Sequence, residues 1–173
     1  MDAIPACDRA DGPVTVDGGL LLALPTALGT GMSTGAGAGV TVGRGHFAWG
    51  ARAAWSTATE SSIDWTVTHA EIKLRLAGVV QQRVGRGRFG LRLGLGPTIV
   101  HESRLRQQGM RVSLMGSETS TYTAAPAADL EGVVALHVAG PWLMTLAAGP
   151  SLAIVDGGAH WGWTAVLGAG WQP

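Results

Sequence analysis

Along Arg88-Phe89-Gly90-Leu91-Arg92-Leu93-Gly94-Leu95-Gly96, every odd position is Phe or Leu and every even one is Arg or Gly. A period of two sends successive side chains to opposite faces of a strand. The stretch therefore predicts a β-strand with one greasy face and one small or cationic face. Turn signals cut the chain into eight such segments: 14–24, 34–43, 46–59, 65–83, 87–103, 121–139, 142–155 and 160–171. In the third, Phe47, Trp49, Ala51, Ala53 and Trp55 oppose Ala48, Gly50, Arg52, Ala54 and Ser56. In the seventh, Trp142, Met144, Leu146, Leu152 and Ile154 oppose Thr145, Ala147, Gly149 and Ser151. The first segment aligns Val14, Val16, Leu20, Leu22 and Leu24 on one face, although Leu21 spoils the other.

Connections carry a second regularity. Gly43-Arg44-Gly45, Gly85-Arg86-Gly87 and Ala139-Gly140-Pro141 are short and Gly/Pro-rich, as hairpin turns are. They alternate with longer connections around 25–33, 60–64, 104–120 and 156–159. A soluble sandwich would set varied polar residues against its greasy face. Glycine interrupted by arginine suits the lumen of a membrane β-barrel, with lipid on the other side. Short turns then lie at the periplasmic end and long loops outside. The expected fold class is all-β, an eight-stranded antiparallel transmembrane β-barrel with up-and-down meander topology. Residues 1–12 are expected to form a disordered N-terminal segment, and 13–173 the barrel.

Aromatic positions fit a membrane. Amphipathic rings favour the two membrane–water interfaces. Phe47, Trp142 and Trp171 fall near the short turns, Trp55, Trp161 and Trp163 near the long loops with Tyr122 close by, and Trp49 belongs to the same aromatic girdle. Trp65 has the wrong parity, which predicts a place in a loop or beside a bulge.

Composition narrows the classes further. The chain has 27 glycines, and no run of apolar residues is long enough for a transmembrane helix. Twelve basic residues balance twelve acidic ones, so no global basic field points to nucleic acid. Cys7 stands alone, which excludes an internal disulfide. Met1 to Gly12 has neither a cationic start nor an apolar core, so no secretory signal is read there. An outer-membrane protein needs one. The chain is therefore read as a mature protein or as the barrel portion of a longer one.

With these faces in hand, the chain resembles the small eight-stranded outer-membrane β-barrels of Gram-negative bacteria, of OmpA/OmpX-like architecture. The resemblance is carried by Trp163-Thr164-Ala165-Val166-Leu167-Gly168-Ala169-Gly170-Trp171. That stretch is similar to the C-terminal strand that the barrel-assembly machinery reads, although Gln172-Pro173 follow the closing aromatic here. The resemblance covers about residues 14–171 and implies a location in the cell outer membrane. It also implies membrane lipid and lipopolysaccharide as surroundings; a monomer is expected, with no nucleic-acid partner. Such barrels serve as anchors, adhesins, small pores or lipid enzymes, so fold membership sets no function.

The inward face collects Arg52, His69, Glu71, Lys73, Arg75, Arg88, Arg92, Glu131 and His137. An eight-stranded barrel has an interior that side chains alone can fill. Charges taken out of water must find partners. Glu71 and Glu131 are the anions counted at mid-depth, against five cations, so water or anions are expected inside as well. A plug of ion pairs is the first reading and a narrow anion-preferring channel the alternative. No metal is expected at His69 and His137, because a third ligand is lacking on that face, and no cofactor is expected.

One constellation hints at catalysis. His101 and Ser103 lie two apart on the fifth segment, on its lipid face, and Glu118 follows across the long loop. Outer-membrane lipid A deacylases are similar in using a His-x-Ser pair with a Glu. Ser103 would attack an ester, His101 take its proton and Glu118 orient the ring. The preferred expectation is no enzyme, since Arg104 follows the serine and the chain has no asparagine to help an oxyanion. The loop read from His101 to Arg111 sets Arg104, Arg106 and Arg111 against Glu102, and its arginines suit lipopolysaccharide phosphates.

Overall fold

Alternating greasy and small residues yield strands wherever the greasy face finds an apolar medium. The computed structural model describes residues 14–24, 32–62, 65–106 and 119–173. They form β1 (Val14–Leu24), β2 (Ser33–Arg44), β3 (Phe47–Ser61), β4 (Trp65–Val84), β5 (Gly87–Arg106), β6 (Thr119–Ala139), β7 (Trp142–Val155) and β8 (Gly158–Trp171). Each strand pairs antiparallel with its sequence neighbour, and β8 closes on β1. Residues 1–12, expected to be disordered, lie outside the described residues.

Closure fixes a stagger. Ladder partners lead from Val14 through Val42, Trp49, Gly78 and Leu93 to Leu130. The register flanking Pro150 carries the path on to Trp163, and it re-enters β1 at Leu24, ten residues along. With ~3.3 Å per residue and ~4.8 Å between strands, such a stagger tilts eight strands by about 40°. The tilt decides which inward residues share a level.

Inside and outside are reversed relative to a soluble protein. Leu20, Trp49 (75% exposed), Leu76 (74%) and Trp161 face outward. Ala48, Ser56, Arg75, Arg92 and Thr164 are buried inward. A contiguous apolar surface of this extent is a lipid surface, which removes the soluble-sandwich alternative. The outward apolar belt runs from Phe47 to Trp55 on β3 and from Phe89 to Ile99 on β5. Those lengths match a tilted strand crossing a bilayer core, about 9–11 residues. Strands β3 to β6 continue beyond the belt, whereas β1 and β2 stop near it. One wall of the barrel therefore projects from the membrane.

Four expectations need correction. The β7–β8 connection is not a longer loop but the two-residue turn Asp156-Gly157, with φ of 49° and 78°. Positive φ at both central residues closes a tight hairpin. Arg104 to Arg106, read as the start of the long connection, is the end of β5, held by pairing to β4 and, at Arg104, to β6. Trp65 is neither in a loop nor beside a bulge: it opens β4 opposite Arg106, and its N–H is received by Ser62 Oγ at 3.1 Å. The fourth is the count of lumen anions, which Asp17, Glu102 and Asp129 raise.

Candidate functional site

The inward charges gather at mid-barrel around Glu131. Its Oε2 accepts from Nε of Arg92 at 2.6 Å and from Nη1 of Arg52 at 3.2 Å. Thr164 Oγ1 donates to the other carboxylate oxygen at 3.3 Å. Arg92 also lies 3.8 Å from Asp17 across the barrel. Gly39 makes this packing feasible: a Cβ there would stand 2.7 Å from Cγ of Arg52 and 2.8 Å from Oδ1 of Asp17. The space left among Asp17, Arg52, Arg92 and Val166 is a cavity of about 10 Å³, at most one water. Side chains from five strands, β1, β3, β5, β6 and β8, thus converge at this level of the lumen.

A second knot centres on Arg75. Pro97 has no N–H to offer opposite Leu74, and the β4–β5 ladder is interrupted between Lys73–Thr98 and Leu76–Leu95. The Arg75 guanidinium fills the gap. Nη1 reaches the carbonyls of Leu74, Gly96 and Pro97 at 3.1, 3.3 and 2.7 Å. Nη2 donates to Thr98 Oγ1 at 2.8 Å, and Nε to Asp129 at 2.5 Å. The β6–β7 ladder is interrupted likewise at Gly149-Pro150, between Asp129–Ser151 and Gly132–Ala148. Glu131 sits opposite that second gap. Both charge hubs therefore lie opposite Gly-Pro pairs. Each glycine is needed for close approach: a Cβ would fall 2.1 Å from Leu74 O at Gly96 and 1.9 Å from Leu130 O at Gly149.

Toward the long-loop end, buried Lys73 lies 3.6 Å from Glu71, and His69 lies 3.6 Å from Glu102. Toward the short turns, buried Arg88 lines a cavity of about 70 Å³ with Asp17, Gln81, Thr145 and Gln172.

The architecture can be compared with solved structures. Ail, the attachment invasion locus protein of Yersinia pestis, solved with the heparin analogue sucrose octasulfate, matches at a TM-score of 0.66 and 11% identity. The match covers 94% of this chain and 99% of Ail. A major outer membrane protein from Thermus thermophilus matches at 0.63 and 9% identity, over 92% and 99% of the two chains. Neisserial surface protein A matches at 0.56 and 7% identity, over 92% and 96%.

The chain has the fold of a small outer-membrane β-barrel.

No family model and no curated protein sequence matches it. The barrel's inward face carries all nine charged or imidazole residues read from the sequence, from Arg52 to His137. It carries Asp17, Glu102 and Asp129 as well, and this corrects the anion count. Parity alone could have found Asp17 and Asp129, because each lies an even number of residues from an inward neighbour, Gly19 and Glu131 respectively. Their pairing to Arg92 and Arg75 removes the reason to expect a large charge imbalance inside. His69 and His137 lie toward opposite ends, one opposite Glu102 and the other opposite Leu143, so they cannot share an ion. Among the described residues no group of three metal-ligating side chains occurs.

His101 and Ser103 do share the outward face. The His101 ring, however, stacks on Tyr122 with centroids 4.4 Å apart. Glu118 lies outside the described residues, as does Arg111. Arg104 is exposed and pairs with Glu102. Phe47, Trp49, Trp55, Tyr122, Trp142, Trp161, Trp163 and Trp171 all face outward and are exposed, with Trp142 opposite Trp171 at the short-turn end.

Proposed function

We propose that this protein is a monomeric, non-enzymatic resident of the bacterial outer membrane. It anchors and presents a projecting strand wall, and its own charges plug its lumen. The observation carrying the plug is the clamp on Glu131 by Arg92 and Arg52, with a cavity of about 10 Å³ beside it and another of about 70 Å³ bordering Arg92 toward the short turns. Removing one partner of such a buried set costs about 3–5 kcal/mol, so each charge depends on the others to stay buried. The apolar belt and the aromatic rings at its margins support the location. The closing strand, with alternating apolar residues up to Trp171, supports delivery by the barrel-assembly machinery. Lipid and lipopolysaccharide are then the surroundings of the outward face.

The test is single-channel recording in planar bilayers. The native protein is expected to give no steady conductance. Steady, anion-selective steps that vanish in Arg92→Glu would replace the plug with a pore.

A further inference from the structure

Just above the apolar belt, the outward face of the projecting wall changes chemistry. Two residue pairs beyond Trp55 on β3, a row of hydroxyls takes over. Thr59 faces Thr68, Thr68 faces Ser103, and Ser103 faces Ser120 across β3 to β6. The Thr59 and Thr68 hydroxyls are 3.5 Å apart. In the row beneath, the ring of Tyr122 is 72% exposed and backed by His101 stacked behind it. His101 aside, these rows carry no charge. Spacings of ~4.8 Å across strands and ~6.6 Å along them make a regular grid of hydroxyls beside a rigid aromatic plate.

We infer that this face is a contact surface for the neutral sugars of the outer-leaflet lipid. The inference rests on the outer-membrane reading above. Threonine and serine hydroxyls both donate and accept, as sugar hydroxyls do. A phosphate would call for arginine or lysine, which these rows lack. An exposed tyrosine ring offers an apolar plane to the C–H face of a pyranose while its hydroxyl stays wet. Position selects the source. The rows continue the lipid-facing surface without a break and point sideways from the barrel, into the layer that lipid-linked sugars occupy. A soluble glycan would approach from above instead.

The protein has a single tyrosine, so ring-labelled tyrosine reports on this face alone. The native protein is placed in phosphatidylcholine nanodiscs, with or without rough lipopolysaccharide bearing core sugars. Cross-relaxation between the Tyr122 ring and sugar protons is expected with lipopolysaccharide only. Thr59→Val with Thr68→Val should lower lipopolysaccharide retention by roughly thirtyfold, the loss of two ordinary hydrogen bonds. Ring contacts to water, choline or acyl protons alone overturn the inference. So does equal contact with free core oligosaccharide in plain discs, which would make the ligand a soluble glycan. A protein that never yields a heat-modifiable band defeats the membrane reading itself; an inserted barrel without sugar contact defeats only this inference.

Discussion

Arg92 and Glu131 stand directly opposite one another in the β5–β6 ladder, joined by a 2.6 Å bond from Nε to Oε2. A cross-strand pair of opposite charge is an ordinary device of sheets. Here it lies inside a closed barrel, and Arg52 arrives at the same oxygen from β3.

Glu131→Gln takes from two buried guanidinium groups the carboxylate they share, leaving Asp17, 3.8 Å from Arg92, as the nearest counter-charge. The expected loss is about 3–5 kcal/mol. It is read as a lower temperature at which the compact, heat-modifiable band disappears on gels. Arg92→Gln combined with Glu131→Gln should recover part of the loss. An additive double variant would show that the pair is not coupled.

Emptying the hub should also open the lumen. Arg52→Ala with Glu131→Ala removes two of the side chains that cross at mid-depth, and small steady steps in planar bilayers are expected from it. A silent variant would place the closure elsewhere.

Arg75 answers a different need, covering carbonyls left open where Pro97 lacks its N–H. Arg75→Gln should destabilise the barrel by about 3–5 kcal/mol, because Asp129 is stranded as well. In a Pro97→Ala background, which restores the ladder donor, the same change should cost about 1 kcal/mol less. Equal costs in both backgrounds would mean that Arg75 serves Asp129 alone.

For Ser103, the non-enzymatic reading predicts that the native protein and Ser103→Ala leave lipid A equally intact. Release of a fatty acid by the native protein, lost in the variant, would revive the esterase. Mass spectrometry of the recovered lipid decides.

All eight strands were legible because period-two alternation is a local property. The observed ends differ from the expected ones by three residues at most, at Arg106 against position 103. Misreadings occurred where local signals were weak. Glycine and arginine beyond Ser103 read as a loop, yet cross-strand bonds hold His101 to Arg106 in the ladder. Asp129 shares the parity of inward Glu131, but Ala127, Ala128 and Gly132 around it leave the alternation in hydrophobicity weak there.

The sequence by itself determined the strands, their lipid face and the inward orientation of the charges, since all three follow from residue parity along a single strand. Tertiary structure alone decided which charges meet. Arg52 and Glu131 are separated by 79 positions, and Arg75 and Asp129 by 54. Their encounter is set by the ten-residue stagger that closure imposes on the whole sheet, and no single strand encodes that stagger. Closure likewise set the Gly-Pro pairs of β5 and β7 opposite Arg75 and Glu131.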